Sequence, residues 1–468
     1  MFTSEVKRDF GVTGMESQAM RNAVSLWLNV YQGQAPWVDP DNGIKSIKFA
    51  KYLCEETARL VCLDIDVQFD GKRKEAMQNF WNKSINPKLR NWVEYALASG
   101  SLVLKPNGEG IDFITPDRFE IVAKDGNGNI TGIVFQDNYE EDGKHYTKLE
   151  YHSFWTANVR RLGSEEFVPT TYYQIINKAY MSKNESDLGV EIPLQQTKWN
   201  NLQPTTYITK QNDDKLNGML FGFMRMPKAN DIDLDSPLGL SIFANAIEEL
   251  GDLDIAYSRN AEEIMDSAKI VLLDDRLTDY SYTDKDKKRH RRRLPLPHFV
   301  KNVRNDEPNN FYQEINPTLN TTTRQEGINN LLSLIGRKCG FSNGYFVLDQ
   351  KTGMITATQV EADDRATIQT IKEIRDALKV CLDELFYAQS VFMDLYEEAP
   401  AGDYEPVYNF GDLSYSYEED KQTWWKYVQS GKVPMWMYLV KFEGFSEEEA
   451  KNIQAESKEE NMDLLQPE

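Results

Sequence analysis

Residues 358–396 read TQVEADDRATIQTIKEIRDALKVCLDELFYAQSVFMDLY. Within this stretch Ile371, Ile374, Leu378, Cys381, Leu385, Ala388 and Phe392 keep a seven-residue period, the spacing of one helical face. Thr358-Gln359-Val360-Glu361 has the form of a capping box, in which the first side chain and the fourth satisfy each other's backbone amides. Together they predict one helix from Thr358 to about Tyr396, roughly 55–60 Å long at about 1.5 Å per residue. Leu382 and Phe386 widen the apolar stripe, which favours packing against several neighbours over a two-stranded coiled coil.

On the N-terminal side of this helix, residues 339–357 lack strong periodicity and contain Gly340, Gly344 and Gly353. A loop of that length and composition is usually mobile or functional. Before it, Thr323-Arg324-Gln325-Glu326 is a second capping box, followed by Ile328, Leu331, Leu332 and Ile335 at helical spacing. A further long helix is expected from Ser236 to about Ala268, with Asp235 or Ser236 as cap and Pro237 in its first turn. Its apolar positions are Leu240, Phe243, Ile247, Leu250, Ile255 and Ile264, and its length would be roughly 50 Å. Its other faces carry Glu248, Glu249, Asp252, Asp254, Glu262, Glu263 and Asp266 against only Arg259. A solvated helix normally mixes both signs, so this face is either an ordinary exposed one or a surface that repels something anionic.

Between these two helices lies an insertion of about 270–318, opening with the strand-like Ile270-Val271-Leu272-Leu273. It holds Lys285, Lys287, Lys288, Arg289, Arg291, Arg292 and Arg293, seven basic residues in nine positions, interrupted by Asp286 and His290. Three readings fit the run: a nuclear-import signal, a solvated loop, or a loop that touches a partner or phosphates.

Residues 1 to about 98 read mainly as helices, with Trp27, Tyr31, Trp37, Ile44, Ile47, Ala50, Cys54, Leu60 and Val61 as core. From about 99 to 215 the period changes to two. Ser101–Leu104, Ile130–Phe135 and Tyr146–Tyr151 are separated by turn residues, which predicts an antiparallel meander. Asp125-Gly126-Asn127-Gly128-Asn129 is a hairpin turn in this pattern, since Gly and Asn tolerate positive φ. The C-terminal segment, about 413–468, reads as mostly helical, with a capping box at Ser446-Glu447-Glu448-Glu449.

The 468 residues include 74 acidic and 53 basic side chains, a formal net charge of −21. A protein that grips nucleic acid by neutralising phosphates needs a basic face, so the total excludes a conventional nucleic-acid binder. The charge is unevenly spread: residues 401–468 alone hold 15 acidic against 6 basic side chains. No apolar run approaches the roughly 18–20 residues that span a bilayer. Cys54, Cys62, Cys339 and Cys381 sit in apolar, helix-like contexts and read as buried free thiols of an intracellular protein. The chain contains no G-x-x-x-x-G-K-[ST] phosphate loop, H-E-x-x-H helix, C-x-x-C pair or G-x-S-x-G elbow. Only four histidines are present, His145, His152, His290 and His298. Asp231, Asp233 and Asp235 have the spacing of a calcium loop, but Ser236 and Ile242 stand where that loop needs Gly and Glu. No cofactor, resident metal or catalytic residue is expected on these grounds.

In order along the chain, these segments resemble a portal protein, or head–tail connector, of tailed bacteriophages with long non-contractile tails. The resemblance covers nearly the whole chain. Its carriers are Trp27…Tyr31-x-Gly33…Trp37, the meander ending in Leu149-Glu150-Tyr151-His152, and Ser236-Pro237-Leu238-Gly239-Leu240-Ser241. They continue with Asn260…Ile270-Val271-Leu272, Thr356-Ala357-Thr358-Gln359-Val360, and Gly431…Ser446-Glu447-Glu448-Glu449-Ala450. Portals of this kind commonly show Glu where this chain has Gln359.

The resemblance implies an α+β portal fold: long stem and wing helices, an antiparallel β-rich wing, a small α/β clip insertion and a helical C-terminal crown. It assigns 1–235 to the wing, 236–269 to a stem helix, 270–318 to the clip and 319–338 to a second stem helix. The segment 339–357 becomes the tunnel loop, 358–412 the long wing helix with a return strand, and 413–468 the crown. The implied protein is a structural, non-enzymatic ring, a dodecamer at one capsid vertex of the virion, assembled in the host cytoplasm. Double-stranded DNA would pass through it during packaging and ejection. Its partners would be the terminase large subunit, major capsid and scaffold proteins, and a head-completion or tail adaptor protein, with no membrane.

On this scheme Lys285, Lys287, Lys288, Arg289, Arg291, Arg292 and Arg293 dock a partner at the clip. Glu248, Glu249, Asp252, Glu262, Glu263 and Asp266 line the channel, and Asn343 and Lys351 lie near DNA in the tunnel loop. Two alternatives belong to other classes. One is a metal-dependent phage nuclease or hydrolase using Asp231, Asp233 and Asp235; the other is a capsid adaptor without a channel.

Overall fold

In a computed structural model, the structure describes residues 3–108, 110–160, 167–209, 216–266, 270–274, 279–293, 300–303, 312–315, 321–347, 357–411, 424–428, 430, 432–443, 449–451, 453 and 454. The chain is mixed α and β, and it divides into two compact units. The larger comprises residues up to Cys62 and Asp66–Asn409; the smaller comprises Leu63–Ile65 and Phe410 onward.

The larger unit is organised around the helix that the quoted stretch predicts. It runs Ala357–Leu395, starting one residue before the expected cap and ending one residue early. Ile371, Leu378, Cys381, Leu382, Leu385, Phe386 and Ala388 are fully buried. The stripe then drifts, since 3.6 residues per turn is not 3.5: Val391 and Met393 are buried and Phe392 only half-buried. As the widened stripe predicts, the helix meets several neighbours. These are the helix Phe49–Val61, the strand Ser101–Pro106 and the strand Gly222–Arg225. Two buried guanidiniums secure it. Arg375 donates to the carbonyls of Leu60 and Val61, at 3.0 Å each, occupying acceptors that the helix end leaves open. Arg73, 1% exposed, donates to Ser390 O, Ser390 Oγ and Pro400 O and pairs with Asp394.

The N-terminal region is helical as expected, with helices Thr3–Phe10, Gln18–Gln32, Phe49–Val61, Lys74–Phe80 and Leu89–Ser99. Trp27 is buried in the core as expected, whereas Tyr31 and Trp37 are half-buried, and the Tyr31 hydroxyl donates to the buried Glu94 carboxylate at 2.6 Å. Ile44 and Ile47 are not on a helix: Ile44 forms an isolated bridge with Asp39, and the next helix starts at Phe49. Cys54, Cys339 and Cys381 are buried thiols, whereas Cys62, just past its helix end, is half-buried.

The period-two region forms antiparallel sheets. One has strands Gly222–Arg225, Ser101–Pro106 and Ile111–Ile114 in that order. The other orders Phe119–Lys124, Ile130–Glu141, Lys144–Arg160, Phe167–Ser182 and Val190–Ile192, with Thr205–Ile208 also on Phe167–Ser182. Asp125 organises the expected hairpin turn, its Oδ1 accepting from the Asn127 and Asn129 amides at 2.9 Å. The short strand Asp66–Asp70 pairs antiparallel with Glu405–Asn409, joining positions more than three hundred residues apart.

The stretch 236–246 departs from the expected helix. Helix begins at Ile247, after a 3-10 turn at Ala244–Ala246, and ends at Asp266, about 30 Å by rise per residue. Residues 236–243 are instead an irregular buried strap. Leu238, Leu240, Ser241, Ile242 and Phe243 are all at most 4% exposed. The strap hydrogen-bonds through Gly239 N to Ser101 Oγ, Ile242 N to Leu97 O and Ser241 Oγ to Leu97 O. Ser236 accepts from Leu238 N and caps nothing. Burial is continuous from Leu238 to Phe243, and Gly239 fits because a Cβ there would lie 2.5 Å from Gly100 O.

The smaller unit contains the helix Met435–Glu443. Tyr438, Leu439 and Ala450 are buried among Trp424, Val428, Met435, Trp436, Val440 and Ile453. Among the described residues no helix is long and apolar enough to cross a membrane.

Candidate channel and partner-docking surfaces

The helix Ile247–Asp266 is followed by the β-rich segment and then by the helix Thr321–Cys339, which returns alongside it. The expected capping box at Thr323 lies inside this second helix, which starts at Thr321. Two ion pairs fix the antiparallel register. Lys338 pairs with Glu249, and Arg324 with Glu263; the partners are fourteen residues, about four turns, apart on each helix. Each cation thus sits on the face turned to the other helix, where neither sequence segment by itself reveals it.

The acidic side chains of Ile247–Asp266 therefore serve different ends. Glu249 and Glu263 neutralise cations across the pair. Glu262 pairs with Arg259 within the helix at 2.6 Å. Asp254 is only 5% exposed and accepts from the Trp37 indole N–H and the Ile47 amide, both at 2.9 Å. It anchors the N-terminal chain across the helix and does not belong to a solvated face. Glu248 and Asp252, one turn apart, are exposed. The Asp266 side chain lies outside the described residues. Among the described residues the exposed acidic positions of this helix are Glu248 and Asp252, and Arg259 is not its only counter-charge, since Arg324 and Lys338 pair with it from the second helix. Ile255, Tyr257 and Ile264, with Leu334 of the second helix, are 37%, 51%, 54% and 40% exposed. Ile255 and Ile264 are among the apolar positions that the sequence assigns to this helix.

Beyond the ends Asp266 and Thr321, the described part of 270–318 consists of strands and turns. Ile270–Asp274 pairs parallel with Val300–Val303 and antiparallel with Tyr312–Ile315. Asp279–Thr283 and Arg289–Arg293 form an antiparallel hairpin. The basic run is thus the turn and second strand of that hairpin. Asp284 builds the turn: its Oδ1 accepts from the Asp286 and Lys288 amides at 2.9 Å, and Oδ2 meets His290 Nε2 at 2.7 Å. The His290 ring and these amides hold the Asp284 carboxyl below its ordinary range. Lys287 takes the left-handed conformation, φ 58°, that the tight turn requires. Lys285, Lys287, Lys288 and Arg289 are exposed around it. Arg291, Arg292 and Arg293 lie on the paired strand, their side chains outside the described residues.

The chain matches no protein-family model and no curated protein.

Asn343 lies in the turn after the second helix, where its Oδ1 accepts from Ser333 Oγ. Neighbouring residues are packed: Phe341 and Phe346 are buried, Ser342 N donates to Thr367 Oγ1, and Thr370 Oγ1 donates to Gly340 O. Lys351 lies outside the described residues. The Asp231, Asp233 and Asp235 segment forms no metal cage. Asp233 accepts from the Ser17 and Asp235 amides, and Asp231 and Asp235 are exposed. Among the described residues no three His, Cys, Asp or Glu side chains gather in a form that could hold a metal ion.

Proposed function

We propose that this chain is the subunit of a portal ring that conducts double-stranded DNA through one vertex of a bacteriophage capsid. The observation that carries the proposal is an antiparallel helix pair, Ile247–Asp266 and Thr321–Cys339, with a β-rich insertion at its far end and a thirty-nine-residue helix after it. That is the order of stem, clip and wing on which the sequence resemblance rests.

Three features support a conduit built from copies of this pair. Ile255, Tyr257, Ile264 and Leu334 leave apolar surface exposed on a paired element, which a neighbouring copy would cover. Glu248 and Asp252 present negative charge near the start of the pair. Each phosphate that a protein neutralises adds affinity, and a wall bearing carboxylates adds none, so DNA could slide past it. The sign reverses at the opposite end, where Lys285, Lys287, Lys288 and Arg289 stand on the hairpin. A compact exposed group of cations suits docking of an acidic partner surface by steered encounter. In this reading the hairpin receives the terminase large subunit and later a head-completion or tail adaptor protein. The motive force for packaging comes from the terminase.

Negative-stain imaging with mass measurement of the purified protein tests the proposal. Closed rings with a central opening wide enough for duplex DNA are expected. A particle that stays monomeric at high concentration would overturn it.

A further inference from the structure

Away from the helix pair, a cleft of about 430 Å³ opens between the helix Leu89–Ser99, the hairpin 101–114 and the strands Ile130–Glu141 and Lys144–Arg160. Sites for small molecules commonly span roughly 300–1,000 Å³. Three of the charged side chains that line it are largely buried: Lys105, Lys148 and Glu150, at 8%, 7% and 6% exposure. Glu150 Oε1 accepts from Lys105 Nζ at 2.6 Å and Oε2 from Lys148 Nζ at 2.7 Å. Oε1 also meets His152 Nε2 at 2.6 Å, and His152 Nδ1 meets the Tyr173 hydroxyl at 2.7 Å. Burial pushes the His152 imidazole down, towards its neutral form. The two lysines hold Glu150 well below its ordinary range, against the opposing effect of burial.

Two ammonium groups thus share one carboxylate beside a neutral imidazole, an excess of one positive charge in this wall of the cleft that is faced by rings, Lys105 Nζ 5.0 Å from the Phe135 centre and Lys148 Nζ 5.7 Å from the Trp199 centre. An uncompensated charge in such surroundings is costly. Glu150 is the carboxylate that both lysines pair with, and the other carboxylates of the wall make their contacts elsewhere. Asp137 accepts from the Trp199 indole at 2.8 Å and lies 4.0 Å from Lys198 Nζ, and Asp112 accepts from Asn107 Nδ2 at 2.8 Å. Each ammonium has three N–H donors and gives one to Glu150. Another wall is aromatic: Tyr95 and Phe113 stack at 5.1 Å, and the Arg118 guanidinium lies 5.8 Å from the Phe113 ring centre. The side-chain oxygen of Gln136 is buried without a hydrogen-bond partner.

We propose that this cleft binds a small organic oxyanion, a carboxylate or phosphate group on an aromatic body. Lys105 and Lys148 receive the anion, the Tyr95–Phe113 stack receives the ring, and Arg118 flanks the entrance. Neither this site nor its test depends on the portal proposal.

Calorimetric titration of the full chain with phenyl phosphate, benzoate, inorganic phosphate and benzyl alcohol separates the possibilities. Phenyl phosphate or benzoate is expected to bind saturably below about 1 mM. Inorganic phosphate should bind about tenfold more weakly, and benzyl alcohol should give no saturable heat. Lys148→Met should weaken the organic anion about tenfold or more. Arg118→Met, at a half-exposed position outside the buried network, should weaken it about threefold or more and serves as the decisive variant if Lys148→Met does not fold. No saturable binding of either organic anion to the wild-type chain would overturn the proposal and leave the cluster as a structural ion network. Binding unchanged in folded Lys148→Met or in Arg118→Met would also overturn it, as would inorganic phosphate binding as tightly as phenyl phosphate.

Discussion

Glu16 is 6% exposed, with its Oε1 accepting from the Ile121 amide at 2.9 Å. Burial, reinforced by nearby Glu120 and opposed by that amide and Arg21, pushes its carboxyl up to about 7 from an ordinary 4.5. The folded chain therefore holds this proton more tightly than the unfolded chain. The associated stability is fully present below about pH 4.5 and is lost as pH rises through 7, up to about 2–3 kcal/mol. Glu16→Gln removes the titration and keeps an acceptor for Ile121. Its melting temperature should exceed that of the wild type at pH 8 and match it near pH 4.5; equal pH dependence of the two proteins would refute this. Buried polar residues of this kind are hard to read from sequence. Lys148, Glu150 and His152 alternate on one strand, as the period of two predicts. Their charge marks them as solvated, yet both faces of that strand are buried there, Leu149 included. Only the long-range partners Lys105 and Tyr173 explain their placement.

The strap 236–243 shows what helix patterning misses at the level of elements. Ser236-Pro237 has the composition of a helix start, and Leu240, Phe243, Ile247 and Leu250 have helical spacing. Tertiary hydrogen bonds to Leu97 and Ser101 override both. The decisive signal is Gly239, which lies back to back with Gly100, itself at φ 81° after the helix Leu89–Ser99. Gly239→Ala places a methyl against the backbone of Gly100 and should cost about 2–4 kcal/mol, read as a lower midpoint in urea. A change under about 0.5 kcal/mol would show that the strap has room to shift. The helix Ala357–Leu395 was legible almost to the residue, because its long, widened stripe leaves no competing period. The cross-helix partners Lys338 and Arg324 were not, because a pairing between two helices is invisible in either one.

For the whole molecule, the mixed α and β class and the antiparallel meander follow from periodicity alone. The assignment of stem, clip and wing rests on resemblance. If neighbouring copies cover the exposed apolar residues, Ile264→Asp should leave the circular dichroism spectrum intact and shift the particle from rings to smaller species. Rings of unchanged yield would mean that this surface faces solvent. Exchanging Lys285, Lys287, Lys288 and Arg289 for Gln should leave ring size unchanged and reduce DNA packaging with terminase at least severalfold. Undiminished packaging would return the basic hairpin to an ordinary solvated turn. The net charge of −21 excludes gripping nucleic acid over the whole surface, yet it is compatible with local cationic contact at that hairpin.

The pairing of Asp66–Asp70 with Glu405–Asn409 also sets a schedule for synthesis. At about 5–20 residues per second, a ribosome needs roughly 20–70 s to deliver the second strand after the first. Throughout that interval Val67 and Phe69, buried in the finished fold, wait on an unpaired strand edge. The neighbouring Trp81 waits with them for Phe386, the ring that both aromatics meet. A fold closed by so distant a contact completes late. Its nascent chain is therefore exposed to aggregation for most of the time it takes to make.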